Sequence, residues 1–176
     1  MKKVSTNLIK DLRKISQASV IDCRNALEEA GGDIEEAVKL LRKRGMEIAK
    51  AKKDRPAREG RIESYVHSGN KLGVLLEVNC ETDFVARSED FCQFTKNLAM
   101  QIAASSPAYI RKEDVPEEVI NKVENEEEFC KESCLLEQAY IRDPSITIND
   151  YLAALVGKIG ENIVIRRFIR YKLGEE

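Results

Sequence analysis

Residues 79–87, with the sequence NCETDFVAR, combine side chains that could contact a partner molecule. This tip segment places Phe84 between an alternating apolar run and an amphipathic run, and an aromatic residue at a loop tip is a typical interface anchor. The neighbouring Asp83 carboxylate could contact a cation or a metal-bound water. Alternatively, Phe84 and Val85 simply begin the next helix and pack on the preceding strands. The residue types alone favour neither interpretation.

Residues that could support catalysis or bind a metal are sparse elsewhere. The sequence has no phosphate-binding loop, dinucleotide fingerprint, zinc-protease motif or nucleophile elbow. Its single histidine, His67, adjoins a turn signal, where we expect it to be solvated. The five cysteines form no C-x-x-C pair, and a zinc site at Cys130 and Cys134 would need distant ligands. We therefore expect buried or half-buried thiols, no metal or cofactor, and no enzymatic chemistry.

Composition and charge are typical of a soluble protein. Of 176 residues, 43% are hydrophobic and 34% charged, and no apolar run reaches the roughly 18–20 residues that span a bilayer. No apolar stretch follows the basic start, so we expect a cytoplasmic protein that does not bind membranes. Residues 1–58 contain 15 Lys and Arg against 9 Asp and Glu, but no aromatic residue accompanies them. We therefore expect this basic surface to be solvated or to dock a protein, without direct contact to nucleic acid.

The first third of the chain predicts three short helices around a small apolar core. The second helix should end at the glycine pair 31–32. The third should begin behind Asp33 as its N-cap and end before Gly45. Residues 46–58 are rich in Lys, Ala and Arg and contain a proline, which is typical of a linker, and their first half could continue as a helix. The predicted domains are a three-helix domain, 1–54, and a core domain, 55–176.

The next segment changes from helical periodicity to the alternation of a β-hairpin. Ile62 and Val66 alternate with charged residues in the first strand, and Ser68-Gly69-Asn70 supplies a turn. The second strand alternates the apolar residues Leu72, Val74, Leu76 and Val78. One face of this hairpin, the face carrying these apolar residues, should therefore be buried.

Three further helices and a last strand complete the prediction. The helices cover about residues 88–106, 116–136 and 147–159, and the middle one is acidic and continuous. The strand covers residues 162–173 and places on one face Ile163, Ile165, Ile169, Tyr171 and Leu173. The predicted fold class is α+β, a three-stranded antiparallel sheet covered by helices on one face. The uncovered face or the sheet edges need protection, for which self-association is one solution.

Four motifs, ordered along nearly the whole chain, resemble those of bacterial elongation factor Ts in its short form. They are DCRNAL with GGD at residues 22–27 and 31–33, AKAKK at 49–53, EVNCETDFV at 77–85, and KIGENI at 158–163. One such motif would be weak evidence, whereas the ordered set is specific.

The resemblance implies a ubiquitin-associated-like three-helix domain followed by an α+β core. It implies a guanine-nucleotide exchange factor in translation elongation, which binds the GDP-bound GTPase elongation factor Tu and promotes GDP release so that GTP can bind. In the family, the matching segment pushes into the GTPase near its magnesium site. Carried over, the resemblance gives that partner-binding role to Thr82, Asp83, Phe84 and Val85.

Two features depart from the family pattern. Residues 16–19 (SQAS) replace a usual Thr-Gly-Ala-Gly turn, so a backbone with positive φ would be strained there. The chain also has one core where longer members have two related halves, which implies a homodimer whose second subunit stands in for the missing half. The alternative function is a binding module for ubiquitin-like partners, which predicts that residues 1–54 alone retain the activity.

Overall fold

The computed structural model describes residues 4–16 and 18–175. The first helices are α1 Thr6–Ser16, α2 Val20–Glu29 and α3 Ile34–Lys52. The hairpin and the segments after it are β1 Glu59–Val66, β2 Leu72–Cys80, α4 Asp83–Ala86 and α5 Glu89–Ser105. The remaining elements are α6 Glu117–Ile120, α7 Glu126–Ser133, β3 Ala139–Tyr140, β4 Asp143–Thr147, α8 Ile148–Ile159 and β5 Val164–Lys172.

The strands form a three-stranded antiparallel sheet in the order β1–β2–β5, and a separate pair, β3–β4. Helix α5 packs on β1 and β2, and its residues Phe91, Phe94 and Leu98 are fully buried. The predicted α+β class with a three-stranded antiparallel sheet is confirmed, whereas periodicity gave no sign of the short β3–β4 pair. None of the described helices is long and apolar enough to cross a membrane.

The chain divides into two compact units. One unit contains the chain up to Arg55 together with Leu152–Asn162, and the other contains Pro56–Tyr151 and the chain from Ile163 onward. The three-stranded sheet, the tip segment and α5 all belong to the second unit. The assignment of functional domains to residues 1–54 and 55–176 stays a prediction.

In the first unit, the end of α2 and the start of α3 lie where the local sequence predicts. Helix α2 is followed by Gly31 and Gly32, whose φ angles of 63° and 93° favour glycine. Asp33 caps α3, because its side chain accepts a hydrogen bond from the Glu36 N–H. The buried core of this unit consists of Leu12, Cys23, Ala26, Leu27 and Ala37. Residues 16, 18 and 19 have no positive φ, and Gln17 lies outside the described residues.

Helix α3 continues through Gly45, so the prediction that it ends there was wrong. Gly45 is buried, and a Cβ atom on it would lie 3.2 Å from the Ala153 carbonyl oxygen of α8. A Cβ atom on Gly157 would likewise lie 3.5 Å from the Gly45 Cα. The glycine thus allows two helices to approach closely, and the good helix formers after it extend α3 to Lys52.

The buried face of β1 is the opposite of the predicted one. Arg61 and Glu63 lie opposite buried residues of β2 and share the face that α5 covers. Glu63 is only 8% exposed, whereas Ile62 and Val66 are exposed at 63% and 62%. The prediction that Ile62 and Val66 are buried was wrong because the pairing register decides which face meets the core.

A β-bulge divides the apolar residues of β5 between the two faces of the sheet. The register shifts between Glu77 and Val78 of β2, so that Arg166 of β5 is skipped and the alternation reverses. As a result Ile163 and Ile165 are buried, at 4% and 3% exposure. The exposed members of the predicted set are Ile169, Tyr171 and Leu173. The prediction of one shared face was therefore wrong.

The acidic segment forms two short helices instead of one continuous helix. Helix α6 ends at Ile120, and Asn125 caps α7 by accepting a hydrogen bond from the Glu128 N–H at 3.2 Å. In one continuous helix Ile120 and Cys130 would lie about 15 Å apart along the axis. The interruption instead brings together in one small apolar cluster Val115, Val119, Ile120, Phe129, Cys130 and Cys134.

Candidate partner-binding site

The tip segment contains a single capped turn of helix, α4, directly after β2. Thr82 is its N-cap, and the Thr82 side-chain oxygen accepts a hydrogen bond from the Val85 N–H at 3.3 Å. Asp83 occupies the first helical position, where a carboxylate interacts favourably with the exposed N–H groups. Threonine followed by aspartate therefore explains why a helical turn begins at this point.

The side chains of α4 point in opposite directions. Val85 and Ala86 are each only 8% exposed, and α4 packs on β1 and β2. Phe84 is 82% exposed, more than any other large hydrophobic residue in the described chain. The segment does begin a helix, as one interpretation predicted, but Phe84 does not pack on the hairpin. Exposing a phenylalanine while its neighbour is anchored is the arrangement expected of an interface anchor.

Hydrogen bonds on both sides of α4 limit its movement. The Cys80 thiol donates to the Thr82 carbonyl oxygen at 3.1 Å, just before the helical turn. After it, the Ser88 hydroxyl donates to the Val85 carbonyl oxygen at 2.8 Å, and Ser88 caps α5. Phe84 is therefore presented by a short element with fixed ends.

An ion pair joins the two ends of α4. Arg87 Nη2 lies 2.7 Å from Asp83 Oδ2, and the two side chains are 79% and 62% exposed. Exposed pairs with this i,i+4 spacing stabilise a fold by only about 0.3–0.5 kcal/mol. The pair therefore adds little to the stability of the fold, and in this conformation it turns the Asp83 carboxylate towards Arg87.

A buried polar network lies under the start of α5 and was not predicted from the sequence. Arg61 Nη2 lies 2.9 Å from Glu63 Oε2, and Arg61 Nη1 lies 2.6 Å from the Cys92 sulfur. The Thr95 hydroxyl donates to the Glu63 carboxylate at 3.0 Å. Arg61 and Glu63 are two residues apart in a strand and therefore share one face, which could have indicated an ion pair. The apolar alternation of Ile62 and Val66 favoured the opposite face as the buried one. Cys92 lies one turn of α5 beyond Ser88, and its thiol donates to the Ala86 carbonyl oxygen of α4 at 3.8 Å.

His67, Cys130 and Cys134, the other candidates for catalysis or metal binding, have contacts that a structural role explains. His67 is an exposed residue beside the hairpin turn and hydrogen-bonds the Tyr65 hydroxyl at 2.9 Å. Cys130 and Cys134 are buried, as predicted. Burial and the adjacent Cys130 raise the pKa of the Cys134 thiol to about 12. Both thiols belong to the buried apolar cluster that contains Val115, so this pair acts as apolar packing.

Alkaline pH is expected to destabilise the protein through two buried groups. The pKa of Cys134 is raised from 9.0, and that of Tyr140 from 10.0, each to about 12. Burial is the main cause for Tyr140, followed by the neighbouring Tyr151. Both pKa values are higher in the folded chain than in the unfolded chain. The contribution of these two protonated groups to the free energy of unfolding is therefore complete below about pH 9 and is lost as the pH rises towards 12.

Urea unfolding at about pH 8 and about pH 11 measures this loss. The free energy of unfolding should be lower at the higher pH, and Tyr140→Phe should reduce the difference between the two values. A difference of unchanged size in Tyr140→Phe would contradict the role assigned to Tyr140.

Comparison with known proteins identifies the family to which this chain belongs. The family model of elongation factor TS matches residues 1–128 and 125–175. Elongation factor Ts of Caldanaerobacter subterraneus subsp. tengcongensis is 49% identical, over 98% of this chain and 98% of its own. Elongation factor Ts of Thermotoga neapolitana is 48% identical, over 99% of both chains. The chain belongs to the elongation factor Ts family.

Family membership confirms the resemblance carried by the four ordered motifs. Members of the elongation factor Ts family are translation elongation factors, and the match covers both the three helices and the α+β core. The motif at residues 77–85 contains the end of β2 and most of α4, so the exposed Phe84 lies within it. The role of Thr82, Asp83, Phe84 and Val85 in binding a partner stays a prediction.

Proposed function

We propose that the protein is a guanine-nucleotide exchange factor for elongation factor Tu in the cytoplasm, with no catalytic chemistry or cofactor of its own. It binds the GDP-bound GTPase and promotes GDP release so that GTP can bind. The observation that carries this proposal is Phe84, 82% exposed on a capped and anchored helical turn. A side chain of that size in water has no structural use in the free protein, and it suits insertion into a partner.

The four residues of the site have different roles in this proposal. Phe84 supplies the buried contact, and Val85, which is itself buried, anchors the helical turn below it. Thr82 holds the first turn through its side-chain oxygen. Asp83 lies beside Phe84 and disturbs the surroundings of the metal ion in the GTPase, or orders the tip of the segment.

The mechanism requires displacement and no covalent step. GDP is held in such GTPases by a phosphate loop and by Mg²⁺, which demands nearly octahedral oxygen ligands at 2.0–2.1 Å. A rigid insertion that moves these ligands by about an ångström therefore weakens the bound nucleotide. Because the coupling is reciprocal, GDP must weaken the binding of the exchange factor by the same factor.

The reciprocal weakening of GDP and exchange-factor binding can be tested directly. GDP-bound elongation factor Tu is mixed with an excess of the protein, the complex is isolated by gel filtration, and its nucleotide content is measured. The complex should contain far less than one GDP per GTPase, and added GDP should dissociate it. A stable complex that retains its GDP would contradict the proposed function.

The three-helix domain supplies a second docking surface in our proposal. Ile15 at the end of α1 and Val20 and Ile21 at the start of α2 are 61%, 52% and 71% exposed. Exposed β-branched residues grouped in this way fit a protein contact rather than nucleic acid. We assign residues 1–54 to a ubiquitin-associated-like docking domain and residues 55–176 to the exchange core. A fragment of residues 1–54 should then bind weakly and release no GDP, whereas full activity of that fragment would favour a simple binding module.

A homodimer is the second part of the proposed assembly. One face of the three-stranded sheet is covered by α5, and the opposite face exposes the apolar residues Ile62, Val66, Leu75, Ile169 and Tyr171. The Glu77–Arg167 ion pair lies on the same face at 2.7 Å, and the Arg167 side chain lowers the pKa of Glu77. Two such faces can stack about 10 Å apart as a β-sandwich. We propose that a second copy of the chain covers this face.

Leu75→Glu is expected to convert the dimer into a monomer. Leu75 lies in the central strand of the face, and a twofold interface would bury the new carboxylate twice without a partner. The dimer dissociation constant should rise by about 100-fold or more. Light scattering during gel filtration measures the mass. The control is Ile21→Glu, which places the same charge on the first unit and should leave the dimer intact. A Leu75→Glu variant that remains dimeric would contradict the assignment of the interface.

A further inference from the structure

Arg87 is the only basic residue in residues 72–95, a stretch that also contains five acidic residues. It is the C-cap of α4, and its backbone N–H donates to the Phe84 carbonyl oxygen at 3.3 Å, while the Ser88 N–H donates to that of Val85. From this fixed backbone its side chain reaches back one turn, so that Nη2 lies 2.7 Å from Asp83 Oδ2. The ion pair therefore spans the helical turn that presents Phe84.

The ion pair is not required to hold α4 in place. Thr82 already caps the helix, and Val85 and Ala86 are buried beneath it. The Arg87 and Asp83 side chains are 79% and 62% exposed, and a pair in that setting adds little to folding stability. In this conformation the Asp83 carboxylate, next to Phe84 in the chain, points towards the guanidinium and has a neutralising partner.

We propose that Arg87 is a positioning residue for nucleotide exchange, whose guanidinium orients the Asp83 carboxylate and offsets its charge as the segment enters the nucleotide site. The inference rests on the exchange function proposed above. A GDP site contains phosphate charge, and a carboxylate brought towards it without a partner raises the energy of approach. A carboxylate held in one direction before binding also loses less side-chain entropy when the complex forms.

The main test compares GDP release from elongation factor Tu by the full-length protein, by Arg87→Gln and by Arg87→Lys. At low salt Arg87→Gln should need about 3–10-fold more protein for half-maximal release while reaching the same maximal rate. Arg87→Lys keeps the charge and should restore most of the lost affinity. Salt screens exposed ion pairs, so the difference between Arg87→Gln and the parent should shrink at about 0.5 M salt. A difference of equal size at both salt concentrations would overturn the proposal.

The Asp83→Asn background tests whether Arg87 acts through Asp83. With the carboxylate removed, Arg87→Gln should have no further effect on release. An undiminished effect in that background would overturn the positioning role, as would a normal Arg87→Gln protein at low salt. In either of these cases the parent protein still accelerates release, and the exchange function stands. If the parent protein itself gives no acceleration, the exchange function and this inference are rejected together.

Discussion

Phe84→Ala is expected to raise the protein concentration needed for half-maximal GDP release by roughly 30-fold or more. The reason is that 82% of the side chain is exposed in the free protein, so nearly all of its apolar surface is available to the partner. An anchor of this kind typically contributes at least about 2 kcal/mol to binding. Removing it should not affect folding, because Phe84 makes no contribution to the core.

Release of a fluorescent GDP analogue from elongation factor Tu measures this effect directly. The matched control is Ile141→Ala, which also removes an exposed apolar side chain of the second unit, but one that lies between β3 and β4. It should behave like the parent protein. Equal release by Phe84→Ala and the parent, with equal affinity for the GTPase, would exclude Phe84 as the anchor.

Glu63→Ala is expected to lower the free energy of unfolding by about 3 kcal/mol. The Glu63 and Arg61 side chains are 10% and 32% exposed, so the change leaves a largely buried guanidinium without its carboxylate. The Arg61 Nε atom is buried and already lacks a hydrogen-bond partner, so little compensation is available. The partial exposure of Arg61 places the expected cost at the lower end of the range for broken buried pairs.

Urea unfolding of Glu63→Ala and of two comparison variants measures this cost. Glu127→Ala removes a carboxylate from the exposed Glu127–Lys131 pair and should change the free energy of unfolding by less than about 1 kcal/mol. Thr95→Val removes only the hydroxyl that donates to Glu63 and should cost about 1 kcal/mol. A Glu63→Ala protein as stable as Glu127→Ala would show that the network contributes nothing to the core.

Local signals in the sequence were sufficient to predict most helix ends. Asp33 begins α3, Gly31 and Gly32 follow α2, and Ser88 caps α5, because these residues act on the backbone within one turn. The same holds for α8, where Thr147 and Asp150 form reciprocal hydrogen bonds at its start. Predictions that depend only on such short-range contacts were reliable.

Predictions that depend on distant partners failed. Gly45 was interpreted as a helix stop because its contact with Ala153 of α8 cannot be read from neighbouring residues. Ile62 and Val66 were assigned to the core because the register with β2, and not their own apolarity, decides their face. The bulge at Arg166 has no local signature, and it alone reverses the second half of β5.

The conformation of the tip segment depends both on neighbouring residues and on distant ones. Its capping by Thr82 follows from local chemistry, whereas the exposure of Phe84 depends on how α4 packs on β1 and β2. The sequence alone left helix start and interface anchor as alternatives. In the structure the turn is helical and anchored through Val85 while Phe84 points into solvent, so the helix start is confirmed and the anchor role of Phe84 stays a prediction.

The rate of GDP release from elongation factor Tu shows whether the protein is an exchange factor. Labelled GDP is bound to the GTPase, excess unlabelled nucleotide is added, and release is followed with and without the full-length protein. The exchange function predicts release that accelerates with protein concentration until it saturates, and it predicts that a small amount of protein discharges many GTPase molecules. A release rate that stays at its spontaneous value in a large excess of the protein would contradict it.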